Sequence, residues 1–88
     1  MRIALDYDRT FTLDREFWAE VMDLAEARGH EVLCITCRRP SETITDMPCR
    51  IIYSSREPKV SVPEASGITI DVWIDDDPWS ILHGKGVR

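Results

Sequence analysis

The chain has no apolar run long enough to cross a bilayer, and its N-terminus lacks the basic region and apolar core of a secretory signal. No membrane partner is expected, and the expected location is cytoplasmic. Cysteine is scarce. Cys34, Cys37 and Cys49 are an odd set that cannot form the even disulfide framework of a small secreted fold, so reduced thiols are expected. Cys34 and Cys37 have the spacing of a redox or zinc half-site, but no second pair completes a zinc site and Cys34 lies within an apolar stretch. Basic charge is not in excess either. With 11 Lys and Arg against 16 Asp and Glu the net charge is −5, which disfavours nucleic acid and anionic membranes as partners. There is no internal repeat, linker or low-complexity segment.

Its 88 residues leave no room for a second domain, so residues 1–88 form a single domain with a thin core. A hydrophobic fraction of 43% beside 31% charged residues is ordinary for a globular protein, and three Trp can bury large areas in so short a chain. The stretch from Arg2 to Tyr7 is apolar and runs into a carboxylate, as expected of a buried parallel strand ending near Asp6. From Asp14 to Arg28, Phe17, Trp18, Val21, Met22 and Ala25 recur at helical spacing, with Gly29 as a stop. Glu31 to Thr36 reads as a second strand, parallel to the first because a helix joins them.

Pro40 to Met47 is expected to make one or two helical turns, capped by Ser41 and ended by Pro48. Arg50 to Tyr53 reads as a third strand. Pro58 and Pro63 limit Ser54 to Gly67 to a brief helix or structured loop. Ile68 to Ile74 reads as a fourth strand leading into Asp75, Asp76 and Asp77, and Pro78 to His83 as a last helix stopped by Gly84. The fold class is therefore α/β, with about four parallel strands and ligands expected at their C-terminal ends.

Those ends carry the chemistry. One delivers Asp6 and Asp8, the next Thr36, and the last Asp75 to Asp77. A parallel sheet brings them to one crevice, where clustered carboxylates repel unless a cation sits among them; hard oxygen donors favour Mg²⁺ or a similar ion.

The order ALDYDRT, an apolar strand ending in Thr36, a lysine and WIDDDP is similar to the four motifs of the haloacid dehalogenase (HAD) superfamily, over nearly the whole chain. Asp6, Asp8 and Thr10 match the first motif, Asp-x-Asp-x-Thr. The resemblance implies a HAD-like, Rossmannoid three-layer sandwich with a reduced sheet of strand order 4-1-2-3. It implies a Mg²⁺-dependent phosphatase (a phosphomonoester hydrolase) in which Asp6 attacks phosphorus to form an aspartyl-phosphate. Asp8 is the implied proton donor and later base, and Thr36 the implied hydrogen-bond donor to a phosphoryl oxygen. Lys59, the only lysine besides Lys85, is the implied counter-charge to Asp6. The implied metal ligands are Asp6, the Asp8 backbone carbonyl and Asp75, with Asp76 and Asp77 as alternatives to Asp75. Arg38 and Arg39 follow Thr36, where they can contact an anionic substrate or form a solvated loop pair. Arg9 and Cys37 stand where the family often has a small residue and can narrow the pocket.

The chain between motifs is too short for a cap domain, so the site is expected to be open. The cover is then a bulky, macromolecular phosphorylated substrate or a second subunit of a homo-oligomer. The rival reading is a catalytically inactive binding module of the same fold that acts through a protein partner.

Overall fold

The structure is a computed structural model, and it describes residues 1–85. Strand β1 spans Arg2–Leu5, and a 3-10 turn at Phe11–Leu13 leads to helix α1, Arg15–Ala27. Strands β2 (Glu31–Thr36) and β3 (Ile51–Tyr53) follow, then α2 (Ser61–Ala65), β4 (Val72–Ile74) and α3 (Trp79–His83). All four strands are parallel, in the order β3-β2-β1-β4, which counted from the opposite edge is 4-1-2-3.

Helix α1 starts where the Asp14 carboxylate accepts the Phe17 N–H at 3.0 Å, satisfying a donor that has no partner within the helix. It ends at Gly29, whose φ of +81° lets the Gly29 and His30 amides turn back to the carbonyls of Glu26 and Ala25. Side chains alternate across the sheet with period two. Leu5, Val32 and Cys34 face α1, where Met22 and Ala25 close a core joined by Ile44 from the loop before β3. Ala4, Leu33, Ile35 and Ile52 face the other way, against Val62 of α2 and against Ile68 and Ile70. Both faces are thus covered, as a parallel sheet requires.

Three expectations about local structure are corrected. Pro40 to Met47 forms turns and bends, with no helix and no cap at Ser41. This segment is pinned by its side chains: Ile44 enters the core, while Asp46 takes the Tyr7 hydroxyl and the Arg15 Nε, each at 2.6 Å. The third strand begins at Ile51, one residue later than expected. The fourth is only Val72–Ile74, because its neighbour β1 begins at Arg2 and Ile3 already pairs with Val72. Ile68 to Ile70 has no strand to pair with, and its two isoleucines pack into the second core instead. The brief helix anticipated between Ser54 and Gly67 is α2, where Pro63 falls in the first turn and no intrahelical N–H is lost.

Among the described residues, no helix is long and apolar enough to cross a membrane. The three cysteines are free, and burial pushes the Cys34 thiol far above its ordinary pKa, so it serves as core rather than as a nucleophile.

Candidate active site

Asp6 follows β1 directly. Its N–H extends the ladder to the Ile74 carbonyl at 3.0 Å and its own carbonyl accepts the Phe11 N–H at 3.3 Å, so the backbone is held on both sides. The loop between them folds back tightly. Arg9 takes a left-handed φ of +61°, a conformation that favours glycine, and its N–H is held by the Thr12 hydroxyl at 2.9 Å. Phe11 fills the base of this loop and stacks on Tyr7.

The Asp6 carboxylate is buried. Its Oδ1 accepts from Lys59 Nζ at 2.8 Å, and its Oδ2 lies 3.3 Å from the Thr10 hydroxyl. Thr10 also accepts the Asp76 N–H at 3.2 Å, and its single proton can serve either Asp6 or Asp76. Lys59 reaches Asp75 Oδ2 as well, at 2.5 Å, while Asp75 Oδ1 takes the Asp77 N–H at 2.9 Å. Ligand-capable oxygens of Asp6, Asp75 and Asp76 lie within 4.8 Å of one another.

Lys59 comes from a loop, and the last helix fixes that loop. The Lys59 and Val60 amides donate to the carbonyls of Ser80 and Ile81 in α3, at 3.2 and 3.0 Å. Gly84 closes against the same loop with φ +72°; a Cβ there would collide with the backbone of Arg56, Glu57 and Pro58. The four-carbon side chain of Lys59 then carries the ammonium into the site, where that side chain is 2% exposed.

The electrostatics follow from this packing. Burial raises the Asp6 carboxyl to about 7; Lys59 pulls it down, and Asp76 and Asp75 push it up. Burial lowers the Lys59 ammonium, but its hydrogen bonds to Asp6 and Asp75 outweigh that and its pKa is raised, so it stays charged. Three carboxylates against one ammonium leave a negative surplus. These hard oxygen donors fit a divalent ion such as Mg²⁺.

The other candidates fall into place unequally. Asp8 is near the site in sequence, yet its carboxylate belongs to Arg38: Nε reaches Oδ2 at 2.8 Å and Nη2 reaches Oδ1 at 2.6 Å. That hydrogen-bonded pair holds the Asp8 carboxyl below the usual carboxylate range. The three carboxylates that converge are accordingly those of Asp6, Asp75 and Asp76. Thr36 ends β2 fully buried, its hydroxyl accepting the Arg38 N–H at 3.2 Å. Arg38 lies over the Tyr7 ring, 5.1 Å from its centroid, while Arg39 is exposed and is held through its backbone, its N–H donating to the Glu42 carboxylate and its carbonyl accepting the Glu42 N–H. Arg9 points outward, 3.5 Å from Asp76. Cys37 is buried beneath Glu57, its thiol 3.7 Å from that carbonyl, and does not line the acid cluster. Asp77 pairs with Lys85 at 3.5 Å. The residues that sequence reading missed are Ser80 and Gly84, which place Lys59 through backbone contacts that leave no motif.

A groove of about 420 Å³ lies against α2, lined by residues including Val60, Ile68, Ile70 and Trp73, and it shares none with the acid cluster. Comparison with protein-family models, curated proteins and solved structures gives no match to this chain.

Proposed function

We propose that this chain is a Mg²⁺-dependent phosphomonoester hydrolase, a minimal capless domain of the HAD-like type that works through an aspartyl-phosphate on Asp6. The observation that carries the reading is the Asp6 carboxylate itself. It is buried at the C-terminal edge of a parallel sheet, bound by Lys59 and Thr10, and flanked by two further acids. A structural acid is rarely given three charged neighbours in so small a space, whereas a nucleophile with perturbed titration commonly is.

In this reading Asp6 Oδ2 attacks phosphorus while Lys59 keeps Oδ1 fixed and offsets charge gathering on the transferred group. Thr10 holds the attacking oxygen in position and links Asp6 to the Asp76 backbone. Asp8, once free of Arg38 and protonated from solvent, passes that proton to the leaving oxygen and later takes one from the attacking water. Asp6 and Asp75 or Asp76 would hold a Mg²⁺ ion, which when bound would neutralise charge on the phosphoryl oxygens and favour the ionised form of Asp6.

The Phe11–Leu13 turn and the helix-free segment before β3 occupy the positions at which a cap could be inserted. A large phosphorylated substrate or a second subunit is therefore the proposed cover.

A second reading, a catalytically inactive module that binds a protein partner, is favoured by the Asp8 pairing, since a carboxylate held by both arms of a guanidinium is a poor proton donor. A panel of phosphate esters including p-nitrophenyl phosphate, with Mg²⁺ or with EDTA, separates the two. The hydrolase reading expects Mg²⁺-dependent turnover that Asp6→Asn abolishes and Asp8→Asn lowers by about 10²- to 10⁴-fold. No turnover on any ester, or equal partial losses in both variants, would leave the binding module.

A further inference from the structure

Arg38 is the best-placed cation at the sheet edge that the proposed chemistry leaves without a task. Its guanidinium uses two nitrogens on Asp8 and a third, at 3.4 Å, on the Glu42 carbonyl. Its backbone N–H is tied to Thr36, so its base is fixed to the end of β2 while its head reaches the loop after β1. Lying over the Tyr7 ring restricts it further. The pair is nonetheless open to solvent, with side-chain exposures of 29% for Arg38 and 44% for Asp8.

A planar fork held in a fixed plane matches a phosphate or carboxylate as well as it matches Asp8. Three further arginines stand on the loops at this edge, Arg9 after β1 and 3.5 Å from Asp76, Arg39 beside Arg38 with its side chain exposed, and Arg56 after β3, paired with Glu42. Asp8 thus acts as an internal anion occupying a position that an external one can take.

We infer that Arg38 is a substrate-recognition residue that exchanges Asp8 for a second anionic group on the substrate, so that the preferred substrate class is a phosphomonoester carrying another phosphate. This rests on the hydrolase reading for its chemistry but not for its binding. The exchange is ionic: the substrate's second phosphate takes the hydrogen bonds of Nε and Nη2, and the released Asp8 side chain is free to turn towards the leaving oxygen. Substrates with a single phosphate leave the Asp8–Arg38 pair closed and turn over slowly.

The test uses the full chain and two probes, adenosine 3′,5′-bisphosphate and adenosine 5′-monophosphate, with binding followed by calorimetry and turnover by phosphate release. The bisphosphate is expected to bind about tenfold or more tightly than the monophosphate and to show the higher kcat/KM. Arg38→Gln should erase that preference, and Arg38→Lys should restore only part of it because an ammonium lacks the fork. Asp8→Asn should strengthen bisphosphate binding, since the internal competitor is gone. A purely structural pair predicts instead that Asp8→Asn and Arg38→Gln weaken binding alike, and that result would overturn the inference. So would equal affinity of the wild-type chain for both probes, or a preference that survives Arg38→Gln. Arg38-dependent binding without hydrolysis would refute the hydrolase reading and leave the recognition role standing. Hydrolysis indifferent to Arg38 would do the reverse.

Discussion

Two ion clusters sit side by side at the C-terminal edge of this sheet, and they differ in burial more than in chemistry. In the first, Lys59 bridges Asp6 and Asp75, with all three side chains 6% exposed or less. In the second, Arg38 grips Asp8 with nearly ideal two-pronged geometry, but both partners meet water. Water decides what each can do. The buried cluster has no alternative partners, so removing one member strands the rest in a poorly solvated site. The open pair gives up little when it parts, because solvent or another anion replaces what is lost. The first is suited to hold a nucleophile in place and the second to be exchanged during binding.

The sharpest way to break this contrast is Lys59→Met. Loss of the ammonium leaves Asp6 and Asp75 without their shared counter-charge, and the metal-free protein should lose about 3 to 5 kcal/mol of stability in urea titrations. A loss as small as that of an exposed pair would show that the buried cluster is not what holds the site. Next in size is Gly84→Ala, which forces a side chain into the backbone of residues 56–58 at a left-handed φ. It should cost about 1 to 3 kcal/mol and should displace Lys59, lowering activity without touching any acid.

The two clusters also oppose each other in pH. Asp6 titrates near 7 when folded and near 3.8 when unfolded, so between those values the folded state binds more protons and stability falls as pH rises. Asp8 shows the opposite sign: its depressed carboxyl adds stability that is present above the ordinary carboxylate range and is lost as pH falls through its folded value. In EDTA, thermal melts of Asp6→Asn should therefore gain on the wild type as pH rises from acid to neutral, and added Mg²⁺ should remove the gain. A difference that does not change with pH would show that Asp6 is not perturbed. The smallest effect is expected from Arg38→Gln, below about 1 kcal/mol of stability. A larger loss would make that pair structural and close the contrast.

Much of this was legible in the sequence because the main elements are signalled locally. Asp14 and Gly29 bracket α1, the apolar stretch at 31–36 is β2, and parallel topology sends Asp6, Thr36 and Asp75 to one edge. What was not legible depends on contacts far apart in the chain. The segment from Pro40 to Met47 looks helical by local propensity, and distant contacts hold it otherwise: Ile44 enters the core, and Tyr7 and Arg15 reach in to Asp46. The early part of the fourth strand alternates properly but has no neighbour, which is a fact about where β1 begins. Lys59 is placed by the carbonyls of Ser80 and Ile81, and carbonyls carry no residue identity. The resemblance makes Asp8 a proton donor, yet its oxygens are claimed by an arginine thirty positions away.

The central claim, that Asp6 is the nucleophile, is tested most directly by trapping its product. Asp8→Asn protein mixed with Mg²⁺ and p-nitrophenyl phosphate, quenched in acid and digested, should yield a phosphoryl adduct on the peptide containing Asp6. The adduct should be absent with EDTA and absent when Asp6 is also changed to Asn. Turnover by the wild-type chain with no adduct on that peptide, or an adduct that persists without Asp6, would contradict the account.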